Sequence, residues 1–165
     1  MNQAKCTAQD YDNRFCFSYD QTIRSRQKSK QKKVPCSLSK HTGKEHIMLV
    51  DDEELIVYTG RLMLERYFNY TITALTSGVE ALEVFRAEPD KFDVVITDMI
   101  MPKMTGDTLA REVKAIRPET PVILCTGYSQ CIIEDRAKEI GGAFLMKPFD
   151  LYELAKAIRK VLHKG

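Results

Sequence analysis

From His46 onward, short apolar runs alternate with helix-length amphipathic segments, and this alternation restricts the fold more than any other feature of the chain. The runs are IMLV (47–50), YTITAL (70–75), VVIT (94–97), PVILC (121–125) and AFLM (143–146). They are short and rich in β-branched or aliphatic residues, as strands buried on both faces should be. Helical spacing appears between and after them, in Leu55, Leu62 and Met63, then Val79, Leu82 and Phe85, then Leu109, Val113 and Ile116. It appears last in Leu151, Leu154, Ile158, Val161 and Leu162. We assign all four stripes to the core. A further helix is expected over about 129–140, bounded by Gly127 before it and Gly141-Gly142 after it. Strict alternation of this kind implies an α/β domain, a five-stranded parallel sheet wound on both faces by helices through right-handed crossovers.

A length of 165 residues suits one such domain plus an appendage. Residues 1–45 hold ten Lys/Arg against four Asp/Glu, and residues 46–165 hold fifteen against nineteen, so the formal net charge of +2 conceals two regimes. The first is polar and includes the basic run RSRQKSKQKK (24–33). With few aliphatics and concentrated like charge, residues 1–44 are expected to form a basic, largely disordered tail, leaving 45–165 as the domain. The aromatics Tyr11, Phe15, Phe17 and Tyr19 are the exception within that tail, a cluster able to dock on a partner or on the domain itself. The basic run is open to nucleic-acid or anionic-membrane contact, but a solvated tail is preferred and nucleic-acid binding is not favoured.

The apolar runs fall far short of the roughly 18 residues that span a bilayer, and MNQAKCTAQD lacks the apolar stretch of an export signal, so the cytoplasm is the expected compartment. The cysteines at 6, 16, 36, 125 and 131 show neither CxxC pairs nor zinc-finger spacing with His, which points to no disulfide frame and no zinc site.

In wound sheets, ligands bind outside the carboxyl ends of the strands. The first run ends in Asp51-Asp52-Glu53-Glu54 and the third in Thr97-Asp98, which brings carboxylates from two strands to one edge. Crowded carboxylates raise one another's proton affinity unless a cation intervenes, and Mg²⁺, with its preference for oxygen ligands, suits this set best. Glu53 and Glu54 are read as acids opening a helix. The fourth run ends in Cys125-Thr126-Gly127 and the fifth in Met146-Lys147-Pro148-Phe149. A hydroxyl, a residue allowing close backbone approach and an ammonium thereby face the carboxylates, the parts needed to hold a transferring phosphoryl group.

Across about residues 46–163 the chain resembles the response-regulator receiver (CheY-like) family of two-component systems. The resemblance is carried by VDDEE with Asp51 and Asp52, VVITDMIMPKMTG with Asp98, Met101-Pro102 and Gly106, ILCTG with Thr126, and FLMKPF with Lys147. It implies a flavodoxin-like sheet of strand order 2-1-3-4-5 and a phosphoacceptor at Asp98. Mg²⁺ would be held by Asp52 and Asp98 directly, by Asp51 mainly through water, and by the backbone carbonyl of Ile100. Thr126 and Lys147 would hold phosphoryl oxygens, and the Lys147-Pro148 bond is a candidate cis peptide. The donor would be phosphohistidine on a sensor histidine kinase or phosphotransfer protein, giving an acyl phosphate on Asp98. Thr126 would then swing inward and Phe144 follow, reshaping the surface of the fourth helix, fifth strand and fifth helix for a downstream protein. The resemblance thus implies stoichiometric signalling rather than turnover catalysis.

Ile100 and Tyr128 depart from the polar residues common beside such sites, and slow self-dephosphorylation is expected because they position an attacking water poorly. The sequence stops at Gly165 soon after the last helix, so output is expected to lie on a separate protein. A phosphatase resembling the haloacid-dehalogenase family would want a second Asp two residues after the nucleophile, where Ile100 stands. A regulated binding module acting through the basic tail is the remaining alternative.

Overall fold

Hydrogen bonding in register links five parallel strands, β1 (His46–Val50), β2 (Thr71–Leu75), β3 (Val94–Asp98), β4 (Val122–Thr126) and β5 (Ala143–Met146), in the order β2-β1-β3-β4-β5. This is a computed structural model, and it describes residues 43–127 and 142–163. The expected strand order and winding are therefore found. The described helices are α1 (Glu54–Phe68), α2 (Gly78–Ala87), α3 (Gly106–Ile116) and α4 (Leu151–Leu162), with a 3₁₀ turn at Pro89–Lys91. The basic tail, its aromatic cluster, Tyr128 and the helix expected over 129–140 lie outside the described residues.

Side chains alternate faces along a strand, so each central strand feeds two cores. Met48, Val50, Val95 and Leu124 pack with Leu82 and Phe85 of α2 and Leu109 and Val113 of α3. Ile47, Leu49, Ile96 and Ile123 face the other way, onto Leu64 and Phe68 of α1 and Leu154 and Ile158 of α4. Phe68, Phe85, Leu64, Leu109 and Ile158 are wholly buried. Truncating any of them to Ala would cost about 2–5 kcal/mol.

Helix ends follow their local chemistry. The Ser77 side chain accepts a hydrogen bond from the Glu80 N–H at 3.4 Å to start α2, and Asp150 and Glu153 exchange hydrogen bonds in a capping box that starts α4. Asn69 stops α1 in a left-handed conformation, φ 60°.

One assignment needs correction. The expected inward stripe of α1 included Leu55 and Leu62, yet these are 75% and 46% exposed. The face that packs on the sheet is Val57, Gly60, Leu64 and Phe68 instead. Gly60 explains the difference: a Cβ there would sit 3.1 Å from Leu49 Cδ2, so α1 lies against β1 through a residue that carries no hydrophobic weight in a periodicity count. Val79 and Ile116 lie at the margins of their stripes, 38% and 37% exposed.

Candidate functional site

Parallel register puts β1, β3, β4 and β5 with their carboxyl ends at one edge. Val50 pairs with Thr97, Asp98 with Cys125, and Thr126 with Met146. Asp51, Asp98, Thr126 and Lys147 thus arrive together from four strands because each stands at or just past a strand end.

Asp51 is buried, and its Oδ1 accepts a hydrogen bond from the Glu53 N–H at 3.1 Å. Lys147 Nζ donates to Asp51 Oδ2 at 3.0 Å and lies 2.5 Å from Asp98 Oδ1. The second oxygen of Asp98, Oδ2, accepts the Ile100 N–H at 2.8 Å. One ammonium therefore spans both carboxylates while backbone amides fix their other oxygens. Burial raises the pKa of Asp51 above the usual carboxylate range, even though the field and hydrogen bond of Lys147 pull it down. For Lys147, burial opposes the charged form, but the hydrogen bond it donates to Asp98 and the fields of both carboxylates outweigh it and hold the ammonium above its ordinary pKa.

Behind Asp98 the loop folds back tightly. Gly106 N–H donates to the Met99 carbonyl at 3.0 Å, and a Cβ on Gly106 would collide with the Asp98 carbonyl oxygen. Only glycine allows that approach. Lys103 takes a left-handed conformation, φ 66°, within the same loop.

Thr126 is buried at the end of β4, and its carbonyl accepts the Lys147 N–H at 2.7 Å, which anchors the lysine backbone. The Lys147-Pro148 bond is cis, as the resemblance implied. Phe144 is partly buried and packs against the core formed with α2 and α3. Cys125 is buried, and burial pushes its thiol up to about 12, which makes it an inert wall of the site rather than a nucleophile.

Asp52 is exposed. Among the described residues, no three Asp, Glu, His or Cys side chains converge as a preformed metal cage. The donor set nonetheless fits a hard divalent ion. Three carboxylates against one ammonium leave two negative charges at this edge, and all the side-chain acceptors are oxygens.

Sequence reasoning missed the floor of the site. A cavity of about 30 Å³, enough for a water or two, lies beneath Asp51, Asp98 and Lys147 and is walled by Ile56, Gly60 and Phe149. Gly60, placed mid-helix where glycine costs about 1 kcal/mol, was the available signal.

A model of the response regulator receiver domain matches residues 47–159. The sensor kinase CckA of Brucella abortus is 33% identical over 137 residues, a match covering 82% of this chain and 14% of the kinase. Sporulation initiation phosphotransferase F of Bacillus subtilis is 32% identical over 122 residues, covering 72% of this chain and 94% of that protein. Among solved structures, a response regulator receiver domain protein from Clostridium thermocellum superposes with a TM-score of 0.68 at 32% identity, covering 73% of this chain and 95% of that one.

Proposed function

The chain belongs to the response-regulator receiver family of two-component signalling, and from that premise we propose that Asp98 is its phosphoacceptor, served by Mg²⁺, Lys147 and Thr126. The observation that carries the reading is the single ammonium of Lys147 set 2.5 Å from Asp98 Oδ1 and 3.0 Å from Asp51 Oδ2.

Ile100 N–H holds Oδ2, which leaves Oδ1 as the attacking oxygen. The Oδ1–phosphorus bond forms as the bond from phosphorus to the donor histidine nitrogen breaks, and that nitrogen leaves with the electron pair. Lys147, already beside Oδ1, follows the negative charge onto a phosphoryl oxygen, and the Thr126 hydroxyl holds another. Asp52, Asp98, the Ile100 carbonyl and, through water, Asp51 would hold the metal. When bound, Mg²⁺ offsets charge on the phosphoryl oxygens. Gly106 lets the loop close behind Asp98, so the carboxylate is presented rather than mobile.

The donor is a sensor histidine kinase or phosphotransfer protein, a reading supported by the sensor kinase and the phosphotransferase among the relatives. Because the match covers 14% of the kinase, its whole activity is not carried over. Once Asp98 is phosphorylated, Thr126 moves toward it and Phe144 turns inward, altering the surface of β5, α4 and the helix expected over 129–140 for a downstream protein. Ile100, 55% exposed beside Asp98, offers no polar group to orient a water, which supports a long-lived acyl phosphate. No described helix is long and apolar enough to cross a membrane.

The test is phosphoryl uptake from a small phosphodonor with and without Mg²⁺. Wild-type protein is expected to take up one phosphoryl group only with the ion, and Asp98→Asn none. Equal uptake by Asp98→Asn would overturn the assignment.

A further inference from the structure

Helix α1 has a second apolar face, directed away from the core. Leu55, Tyr58 and Leu62 are 75%, 63% and 46% exposed, and their spacing of three and four residues sets them in one stripe. Single exposed apolar residues are ordinary, whereas a contiguous stripe of large ones marks a contact surface.

The chain enters the domain at the foot of this same helix. Gly43 N–H donates to the carbonyl of Phe68, the last residue of α1, at 3.0 Å, and Asn69 Nδ2 donates to the Gly43 carbonyl at 3.5 Å. From Phe68 back to Leu55 is about 20 Å at the helical rise of about 1.5 Å per residue. The stretch between Tyr19 and Gly43 can extend to at most about 80 Å, so the stripe lies well within reach of the aromatic cluster at Tyr11, Phe15, Phe17 and Tyr19. Charge favours the same meeting. Residues 1–45 carry ten Lys/Arg against four Asp/Glu, with the basic run 24–33 between the cluster and Gly43. The stripe is bordered at its start by exposed Glu53 and Glu54 on a domain of net negative charge, while Glu65 at its far end is paired with Arg61.

We infer that the N-terminal segment of this chain is the occupant of the stripe, its aromatics covering Leu55, Tyr58 and Leu62 while its basic run lies along the bordering glutamates. Tethering holds the cluster near α1 at an effective concentration of order mM, an advantage no separate partner has. A second copy would bring the same glutamates against themselves.

The experiment places the photo-crosslinker p-benzoylphenylalanine at position 58 of the full chain, mixes light and heavy isotopic preparations, and maps the adducts by peptide mass. Adducts to residues 11–19 within one isotopic chain are expected. They should fall at least about ten-fold when Tyr11, Phe15, Phe17 and Tyr19 are all replaced by Ser, because the tether alone no longer attaches the segment. Those replacements leave every strand and helix of the domain unchanged. A crosslinker at exposed Glu83 on α2 serves as the control position. Mixed-isotope adducts would assign the stripe to a second copy and overturn the inference. So would adducts to 11–19 no more abundant from position 58 than from position 83.

Discussion

Lys147→Met removes the ammonium that touches both carboxylates and keeps a side chain of similar length. Breaking a buried ion pair from one side costs about 3–5 kcal/mol, because the remaining charge is left without its partner. Here the side chains of Lys147, Asp51 and Asp98 are 19%, 6% and 12% exposed, so some water reaches them and the lower end, about 3 kcal/mol near neutral pH without divalent ions, is expected. With a urea m-value of about 1.5 kcal/mol/M, the unfolding midpoint should fall by about 2 M. The pH dependence follows from the shifts. Lys147 has a raised pKa in the folded protein, so its contribution is complete below the unfolded value of 10.5 and is lost only as pH climbs through the folded value. In the variant, Asp51 loses the lysine field that opposed its burial, and its pKa rises further above the ordinary carboxyl value of 3.8. A carboxyl raised in this way destabilises when ionised, so the deficit should shrink as pH falls below neutral through the raised Asp51 pKa and the carboxyl takes up a proton. Mg²⁺ should bind the variant more tightly than wild type, since no ammonium competes for the carboxylates. Equal urea midpoints near neutral pH, or a deficit unchanged by acidification, would refute the reasoning.

Further outcomes follow from single contacts. Gly106→Ala should lose about 1–3 kcal/mol by urea unfolding and slow labelling of Asp98, because its Cβ drives against the Asp98 carbonyl; an unchanged labelling rate would be inconsistent with that contact. His46 has its pKa lowered by burial and by Lys91, against the pull of Asp93 and Glu88, and its ring bonds the Thr73 hydroxyl at 2.8 Å. Stability that depends on neutral His46 is present above the unfolded value of 6.5 and is lost as pH falls from there through the lowered folded value; His46→Asn should flatten this part of the urea-midpoint profile. Asp150→Ala removes the α4 capping box and should cost about 0.5–2 kcal/mol in thermal or urea unfolding. Ile100→Asn should shorten the lifetime of the acyl phosphate, measured as phosphate release from the isolated protein; loss within seconds from the wild type would contradict the role given to Ile100.

Much of this architecture was legible because parallel strands buried on both faces leave a plain sequence trace. Each of the five apolar runs overlaps its strand, with ends displaced by about a residue, since a strand continues into polar residues such as Asp98 and Thr126 while ladder partners remain. Strand-end logic likewise located Asp51, Asp98, Thr126 and Lys147. The face of α1 was not legible: Leu55 and Leu62 outweigh Gly60 in any hydrophobic count, although the absence of a side chain at Gly60 is what admits β1. Nor does a sequence show that one lysine bridges two carboxylates from different strands, since that depends on the register of β4 and β5 and on the Lys147 N–H anchored to Thr126.

The central claim is that Asp98 forms the acyl phosphate. Reducing the phosphodonor-treated protein with borohydride converts an aspartyl phosphate to homoserine, and peptide sequencing by mass spectrometry then reads its position. Homoserine at residue 98, dependent on Mg²⁺ during labelling, is the predicted result. Conversion at Asp51 or Asp52, or a stable phosphoryl group on a hydroxyl side chain with residue 98 intact, would contradict it.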